Sequence, residues 1–249
     1  MLAVLSDIHG NIEALDAVLA DLAGRSVSAV YCLGDLVGYG PDPVACLERA
    51  KEWELVLLGN HDQAAMFDPD GFAPSAERAI FWTRAVLESC GRSDMWDFHS
   101  ERPRSHREGD FLFVHGSPRN PTNEYVFPED VFNQQKMDRL GALLDRYCFC
   151  GHTHVPGVFV EPEVAGGQWQ FFSPEERHHF WRFDGRKAIV NVGSVGQPRD
   201  GDRRASYVIV DGWDVHFHRV EYDWRTTRDK IYAIPELDNF LGDRLDDGR

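Results

Sequence analysis

Met1-Leu2-Ala3-Val4-Leu5-Ser6-Asp7-Ile8-His9-Gly10-Asn11 opens the chain, and the fold follows from how it is read. Five apolar residues form a short strand. Ser6 to Asn11 break it, and Ile12, Leu15, Val18, Leu19 and Leu22 then recur at helical spacing. Strand, tight turn and helix succeed one another. Asp7 and His9 fall where the strand stops, two residues apart, so a strand's period would lean both to one side. A carboxylate and an imidazole converging at a strand end suit a divalent metal. Read alone, the pair is only a polar turn.

The same grammar returns. Ala29 to Leu33 reads as a strand that ends in Gly34-Asp35, followed by a glycine- and proline-rich loop, with Val44, Leu47 and Ala50 marking a short helix. Leu55 to Leu58 reads as a third strand, closed by Gly59-Asn60-His61-Asp62. Phe111 to Val114 ends in His115, and Tyr147 to Cys150 ends in Gly151-His152-Thr153-His154. In an open α/β sheet, ligands bind outside the carboxyl ends of strands. Asp7, His9, Asp35, Asn60, His115, His152 and His154 are too many donors for one tetrahedral ion. They suit two ions, roughly 3.5–4 Å apart, sharing a bridging carboxylate. Oxygen and imidazole donors without thiolates favour manganese, iron or zinc as divalent or trivalent ions.

Composition bounds the rest. The chain has 249 residues, 43% hydrophobic and 27% charged, as in globular proteins generally. Its net charge of -15 repels polyanions and argues against duplex nucleic acid. Five scattered cysteines argue against a disulfide framework. Cys148 and Cys150 lack a second pair for a thiolate site and read as small residues in a buried strand. Met1 leads directly into the first strand, with no basic leader and no apolar run of spanning length, so a cytoplasmic protein without a membrane partner is expected.

Residues 63–110 read as a helical excursion with Ser75 as N-cap, Phe81 and Trp82 as packing residues, and Arg102, Arg104, His106 and Arg107 in a solvated loop. Val131 to Leu144 carries a helical pattern. The aromatic-rich stretch 157–187 reads as a hairpin from the second sheet, partly over the site, with a capping box at Ser173 to Glu176 and His178 and His179 as surface residues. Strands are expected at 188–192, 206–210 and 215–220, with a turn at Asp211-Gly212. The tail from Thr226 reads as one helix and a frayed end.

The ordered blocks Asp7-Ile8-His9, Gly34-Asp35, Gly59-Asn60-His61-Asp62, Val114-His115-Gly116 and Gly151-His152-Thr153-His154 resemble the calcineurin-like metallophosphoesterase superfamily. The resemblance runs to about Ala233. Gly38 to Pro43 and Gly193 to Asp200 look like its bacterial and archaeal branch of small phosphodiesterases, related to diadenosine tetraphosphatases and serine/threonine phosphatases. Asn191-Val192-Gly193-Ser194 departs from the pattern, which has proline at the place of Val192.

The resemblance implies a single domain over 1–249, a four-layer α/β/β/α sandwich of two mixed sheets; periodicity alone gives only α/β. It implies one metal on Asp7, His9, Asp35 and His154 and another on Asp35, Asn60, His115 and His152. A hydroxide held between the metals would attack phosphorus. His61 would protonate the leaving oxygen or stabilise phosphoryl charge, with Asp62 setting its tautomer or raising its pKa. Asn11 has two readings, a phosphate contact and a helix start. Arg199 also has two, an anion-binding guanidinium at the rim and an ion pair with Asp200, Asp202 or another surface carboxylate. The expected substrate is a small phosphate ester, nucleotides included, with diesters preferred to monoesters. A catalytically silent metal-binding regulator or protein-interaction module on the same fold is the alternative.

Overall fold

The computed structural model describes residues 1–164 and 166–249. Two six-stranded mixed sheets form the centre. The first runs β3 (Leu55–Val56), β2 (Ala29–Cys32), β1 (Leu2–Leu5), β11 (Ala205–Asp211), β12 (Asp214–Val220), β9 (Phe180–Arg182). The second runs β4 (Ser105–Glu108), β5 (Phe111–Val114), β6 (Tyr147–Cys150), β10 (Ala188–Asn191), β7 (Gly157–Val160), β8 (Gln170–Phe172).

The layers follow from the alternation of side chains along each strand. On β1, Val4 joins a core shared with Phe113, Phe149, Val190 and Val208, which fills the space between the sheets. Its neighbours Ala3 and Leu5 turn outward onto α1 (Ile12–Ala23) and α2 (Pro43–Ala50), through Leu15, Val18 and Leu47. On β6, Tyr147 and Phe149 face inward, while Cys148 and Cys150 pack with Met137 and Leu140 of α6 (Gln134–Gly141). Helix, sheet, sheet, helix is the resulting order, as the family resemblance implied. The cysteines are free and four are buried, Cys148 and Cys150 among them.

β1, β2 and β3 run parallel, as do β5, β6 and β10. Each set therefore delivers its carboxyl ends to one rim.

Several sequence expectations are corrected. The 63–110 segment contains the end of α3 (Asn60–Met66), α4 (Pro74–Ser89) and α5 (Ser93–Ser100), but it closes with strand β4, paired antiparallel to β5. Arg102 is buried, not solvated. The 157–187 stretch does form the β7–β8 hairpin, but it then crosses to β9, which pairs with β12 in the other sheet. It closes an edge of the sandwich and does not line the cleft beside the metal-ligating groups. The capping box forms, Ser173 N–H to Glu176 and Glu176 N–H to Ser173, over a single 3₁₀ turn. The tail holds two helices, α7 (Trp224–Tyr232) and α8 (Asn239–Asp247). Leu241 and Leu245 of α8 are buried with Trp224 and Ile231, so this end is docked and not frayed. Val192 uses its N–H to reach the Cys150 carbonyl at 2.9 Å, a bond proline could not make. None of the described helices is long and apolar enough to cross a membrane.

Candidate metal centre

The rim brings eight side chains together from five loops. Asp7 and His9 follow β1, Asp35 follows β2, Asn60 and His61 begin α3, His115 follows β5, and His152 and His154 follow β6. Strand periodicity is not what aligns the paired ligands. Asp7, His9, Asp35, His152 and His154 have φ of 54°, 50°, 53°, 68° and 61°. Left-handed backbone costs a non-glycine residue about 1–3 kcal/mol, and its clustering marks a site whose surroundings over-determine it. Backbone bonds supply that constraint: Asp7 N–H to Gly34 O, His9 N–H to Asp35 O and Gly10 N–H to Leu36 O, at 2.9–3.0 Å. The glycines permit close approach. A Cβ on Gly151 would lie 2.3 Å from Asp7 Oδ2, and one on Gly59 would lie 2.0 Å from Asp35 Oδ1.

Two clusters share one carboxylate. In the first, His154 Nε2 is 3.2 Å from Asp7 Oδ1 and 3.1 Å from His9 Nε2. In the second, His115 Nε2 is 3.0 Å from Asn60 Oδ1 and 3.1 Å from His152 Nδ1. Asp35 Oδ2 lies 3.7 Å from His9 Nε2 and 3.3 Å from His115 Nε2, between the two. Asp35 Oδ1 is turned away and accepts the His61 N–H at 2.9 Å.

The tautomers make these clusters cation sites. His9 Nδ1 meets the Val37 carbonyl at 3.2 Å, and His154 Nδ1 meets the Gln197 carbonyl at 2.6 Å. A carbonyl only accepts, so both Nδ1 atoms carry the proton and both Nε2 lone pairs face each other beside a carboxylate. His152 is reversed: its Nε2 donates to the Asn123 carbonyl at 3.3 Å, leaving Nδ1 bare toward His115. Asp7 Oδ1 is buried with no hydrogen-bond partner. Converging lone pairs and an orphaned carboxylate oxygen require a positive charge among them, and these residues fit a metal.

Without metal, a proton takes part of that role. Burial disfavours the His115 imidazolium, but Asp35 and Asp7 outweigh it and lift its pKa to about 9. Burial likewise opposes ionisation of Asp7, yet His154 and His115 hold its carboxyl well below the usual range. Burial, with Arg199 beyond it, pushes His154 down to about 3. For His115 to hold a metal it would have to give up that proton. Apparent affinity is therefore expected to rise with pH by about tenfold per unit through neutrality and to level off above about pH 9. Calorimetric titration of the apoprotein in buffers of different ionisation enthalpy measures the released proton; affinity constant across neutral pH would contradict the assignment.

His61 is buried, its ring 4.4 Å from Tyr39, 4.8 Å from His9 and 4.9 Å from Phe72. Its nitrogen also comes within ligand spacing of His9 and Asp35. Burial and the neighbouring charges of His9 and Arg199 hold it well below its ordinary pKa. Asp62 does not set its tautomer, since His61 Nδ1 has no partner. The Asp62 carboxylate turns the other way, accepting from Asp35 N–H at 2.7 Å, Gly59 N–H at 3.1 Å, Val37 N–H at 3.3 Å and Arg102 Nη1 at 3.0 Å. It is a positioning residue for the Asp35 loop. Arg102 in turn reaches His99 Nδ1 at 2.6 Å, and His99 Nε2 meets the Asp62 carbonyl at 2.7 Å. Neither Arg102 nor His99 was expected here; only the pairing of an arginine with the one carboxylate of the Gly-Asn-His-Asp block would have hinted at it. Removing Arg102 leaves a buried carboxylate unpaired, and Arg102→Ala is expected to cost about 3–5 kcal/mol in urea unfolding.

Asn11 serves the helix start. Its Oδ1 accepts from Ala14 N–H and Thr227 Oγ1, and its Nδ2 donates to the Gly196 carbonyl, so the phosphate contact is not supported. Arg199 does not pair with Asp200 or Asp202, which bind Arg219 and Arg204. Its Nη2 donates to Gln197 Oε1 at 2.8 Å, its Nε is buried without a partner, and its guanidinium carbon lies 5.6 Å from the Tyr39 ring centroid.

A cleft of about 570 Å³ opens beside His61, Asn60 and His152. A second cavity, about 680 Å³, lies between Met1, Phe111 and Trp213, lined by no imidazole, and is remote from this chemistry.

Two face-to-face mixed sheets with paired acid and imidazole clusters at their shared rim define a metallohydrolase-type sandwich. The family model of the calcineurin-like phosphoesterase superfamily domain matches residues 1–212, and the chain belongs to that superfamily. It is 37% identical over 265 aligned residues to an uncharacterized protein of Methanocaldococcus jannaschii, covering 100% of this chain and 98% of the relative. A solved metallophosphoesterase from Sphaerobacter thermophilus is 35% identical with a TM-score of 0.84, covering 100% of this chain and 98% of that one. A hypothetical protein of Pyrococcus horikoshii, 22% identical with a TM-score of 0.73 over 100% and 99% of the two chains, has the same fold.

Proposed function

We propose that the protein is a dinuclear-metal phosphoesterase that prefers phosphodiesters to monoesters. The observation that carries the reading is the position of Asp35 Oδ2, within reach of imidazoles from both clusters. In this reading Asp7, His9, Asp35 and His154 hold one ion, and Asp35, Asn60, His115 and His152 hold the other. Manganese, iron or zinc suits a donor set of nitrogen and oxygen without thiolate. Bound there, the ions would supply Lewis acidity at the phosphoryl oxygens and lower the pKa of a water.

The chain's own residues do the rest. His61, neutral and held by Tyr39 and Phe72, places an N–H at the leaving oxygen as the phosphorus–oxygen bond breaks. Asp62 holds the Asp35 loop by its backbone and thereby fixes the shared carboxylate. Arg199 faces the substrate's charge. The diester preference is supported by the resemblance to small phosphodiesterases and by the cleft, which carries Asp68 and Asp70 and no lysine or arginine. A singly charged diester suits such walls better than a dianionic monoester.

The test is a metal-reconstituted screen of bis(p-nitrophenyl) phosphate, p-nitrophenyl phosphate and a nucleotide panel. Faster turnover of the diester is expected. No turnover with any of the three metals would favour the silent scaffold.

A further inference from the structure

Tyr39 lies in the Gly38-Tyr39-Gly40 loop with φ of 60°, left-handed backbone that a tyrosine adopts only where its surroundings impose it. Its half-buried ring packs against two imidazoles of the centre, 4.4 Å from the His61 ring and 4.7 Å from that of His9. Gly38 closes in on His61 from the same loop, since a Cβ there would fall 2.5 Å from His61 Nδ1. That nitrogen has no hydrogen-bond partner. The imidazole is therefore oriented by packing, and its orientation depends on how firmly Tyr39 is seated.

The seat comes from the far end of the chain. α7 and α8 follow the phosphoesterase domain at residues 1–212, and Tyr39 packs on the cluster that they bury, which includes Trp224, Ile231, Leu241 and Leu245. Between Tyr39, His9, Ile231 and Leu241 the gap is only about 10 Å³, room for at most one water. α7 also bonds the loop on which Tyr39 stands: Lys230 Nζ donates to Asp42 Oδ2 at 2.8 Å and to Glu13 at the start of α1. Asp42 N–H in turn reaches Gly10 O at 2.9 Å, and Gly40 N–H reaches His9 O at 2.8 Å. A second route runs through α4. Its Ala79 belongs to the same buried cluster, and its Arg78 Nη2 donates at 2.7 Å to Asp238, the N-cap of α8. Its Arg84 donates to the Ala64 and Ala65 carbonyls, both at 2.9 Å, in α3, the helix whose first turn carries His61. A helix pair that only covered the first sheet would need none of these bonds to the rim.

We propose that α7 and α8 brace the active site, with Tyr39 as the positioning residue through which they hold His61 at the leaving oxygen. This rests on the reading of His61 as the group that assists the leaving oxygen. The contacts are made by the tyrosine ring, not its hydroxyl.

Two esters on the metal-loaded enzyme test the brace: methyl phenyl phosphate, whose leaving oxygen needs the His61 N–H, and methyl p-nitrophenyl phosphate, which needs it little. Tyr39→Ala is expected to lower kcat on the phenyl ester by about tenfold or more, the cost of a displaced donor, and on the p-nitrophenyl ester by less than about threefold, with KM and metal content unchanged. Tyr39→Phe should restore kcat on the phenyl ester, because it keeps the ring. Lys230→Met should show the same ordering, with a loss of about threefold on the phenyl ester, as befits a half-exposed ion pair. In a His61→Ala background neither substitution should widen the gap between the esters further. Turnover of the p-nitrophenyl ester shows that each variant is folded. The inference is overturned by equal losses on both esters, by Tyr39→Phe as poor as Tyr39→Ala, by Lys230→Met with no difference between the esters, or by an effect of Tyr39→Ala undiminished without His61. If His61→Ala itself slows both esters equally, the leaving-side reading of His61 falls, and the inference with it.

Discussion

Replacing Asp35 with asparagine is expected to abolish binding at both metal positions and to lower hydrolysis by about 10³-fold or more, the several kcal/mol that metal ions supply to a charged transition state. The reason is geometric. Asp35 Oδ2 is the donor placed between the His9 and His115 imidazoles, so no other side chain can compensate on either side. The substitution keeps the shape and still offers Oδ1 to the His61 N–H, which Asp35 accepts at 2.9 Å. The fold is therefore expected to survive. Two readouts separate loss of metal from loss of structure. Circular dichroism and the apoprotein's thermal midpoint should match wild type, whereas the rise in midpoint on adding metal should vanish. That rise corresponds to about 2.7 kcal/mol at a metal concentration of 100 times Kd. If Asp35→Asn still shows it, Asp35 does not bridge.

His61→Ala should behave in the opposite way, with metal content retained and turnover lowered by ~10²–10⁴-fold. His61 lies edge-on to His9 at 4.8 Å and packs between Tyr39 and Phe72, so its removal leaves the Asp7, His9 and His154 cluster in place. The spacing in which His61, His9 and Asp35 could themselves hold an ion makes this variant decisive. Loss of about one ion per chain would make His61 a ligand and remove it from the chemistry. Substrates with better leaving groups should lose less, because they need less help from a proton donor.

The ligand inventory was readable because each donor sits at the first polar position after an apolar run, and such positions fall on a common rim. Strand alternation predicts a shared face for Asp7 and His9, but both adopt left-handed backbone in a turn, as do His152 and His154, a conformation that no hydrophobic pattern announces. Asp62 illustrates a second limit. Its place after His61 suggested a hydrogen bond to the ring, yet a helix N-terminus turns adjacent side chains apart, and its carboxylate bonds to Asp35, Val37 and Gly59 backbone instead.

Arg102 reaches Asp62 from 40 residues further along the chain, so local patterning gives it no signal. Arg102 looked like part of a basic loop because its neighbours Arg104 and Arg107 are exposed. The aromatic stretch 157–187 was misplaced for a related reason. Its residues alternate weakly because β8 and β9 are only three residues long and lie on different sheets. Burial at the edge of the sandwich, and not contact with the site, accounts for its aromatic content.

The central claim is that two ions share Asp35. Elemental analysis of the wild-type protein, reconstituted to saturation with manganese, iron or zinc and assayed on the same sample, tests it most directly. Two ions per chain are predicted at full activity, with activity rising as the second position fills. Saturation at one ion per chain with activity intact would contradict the account.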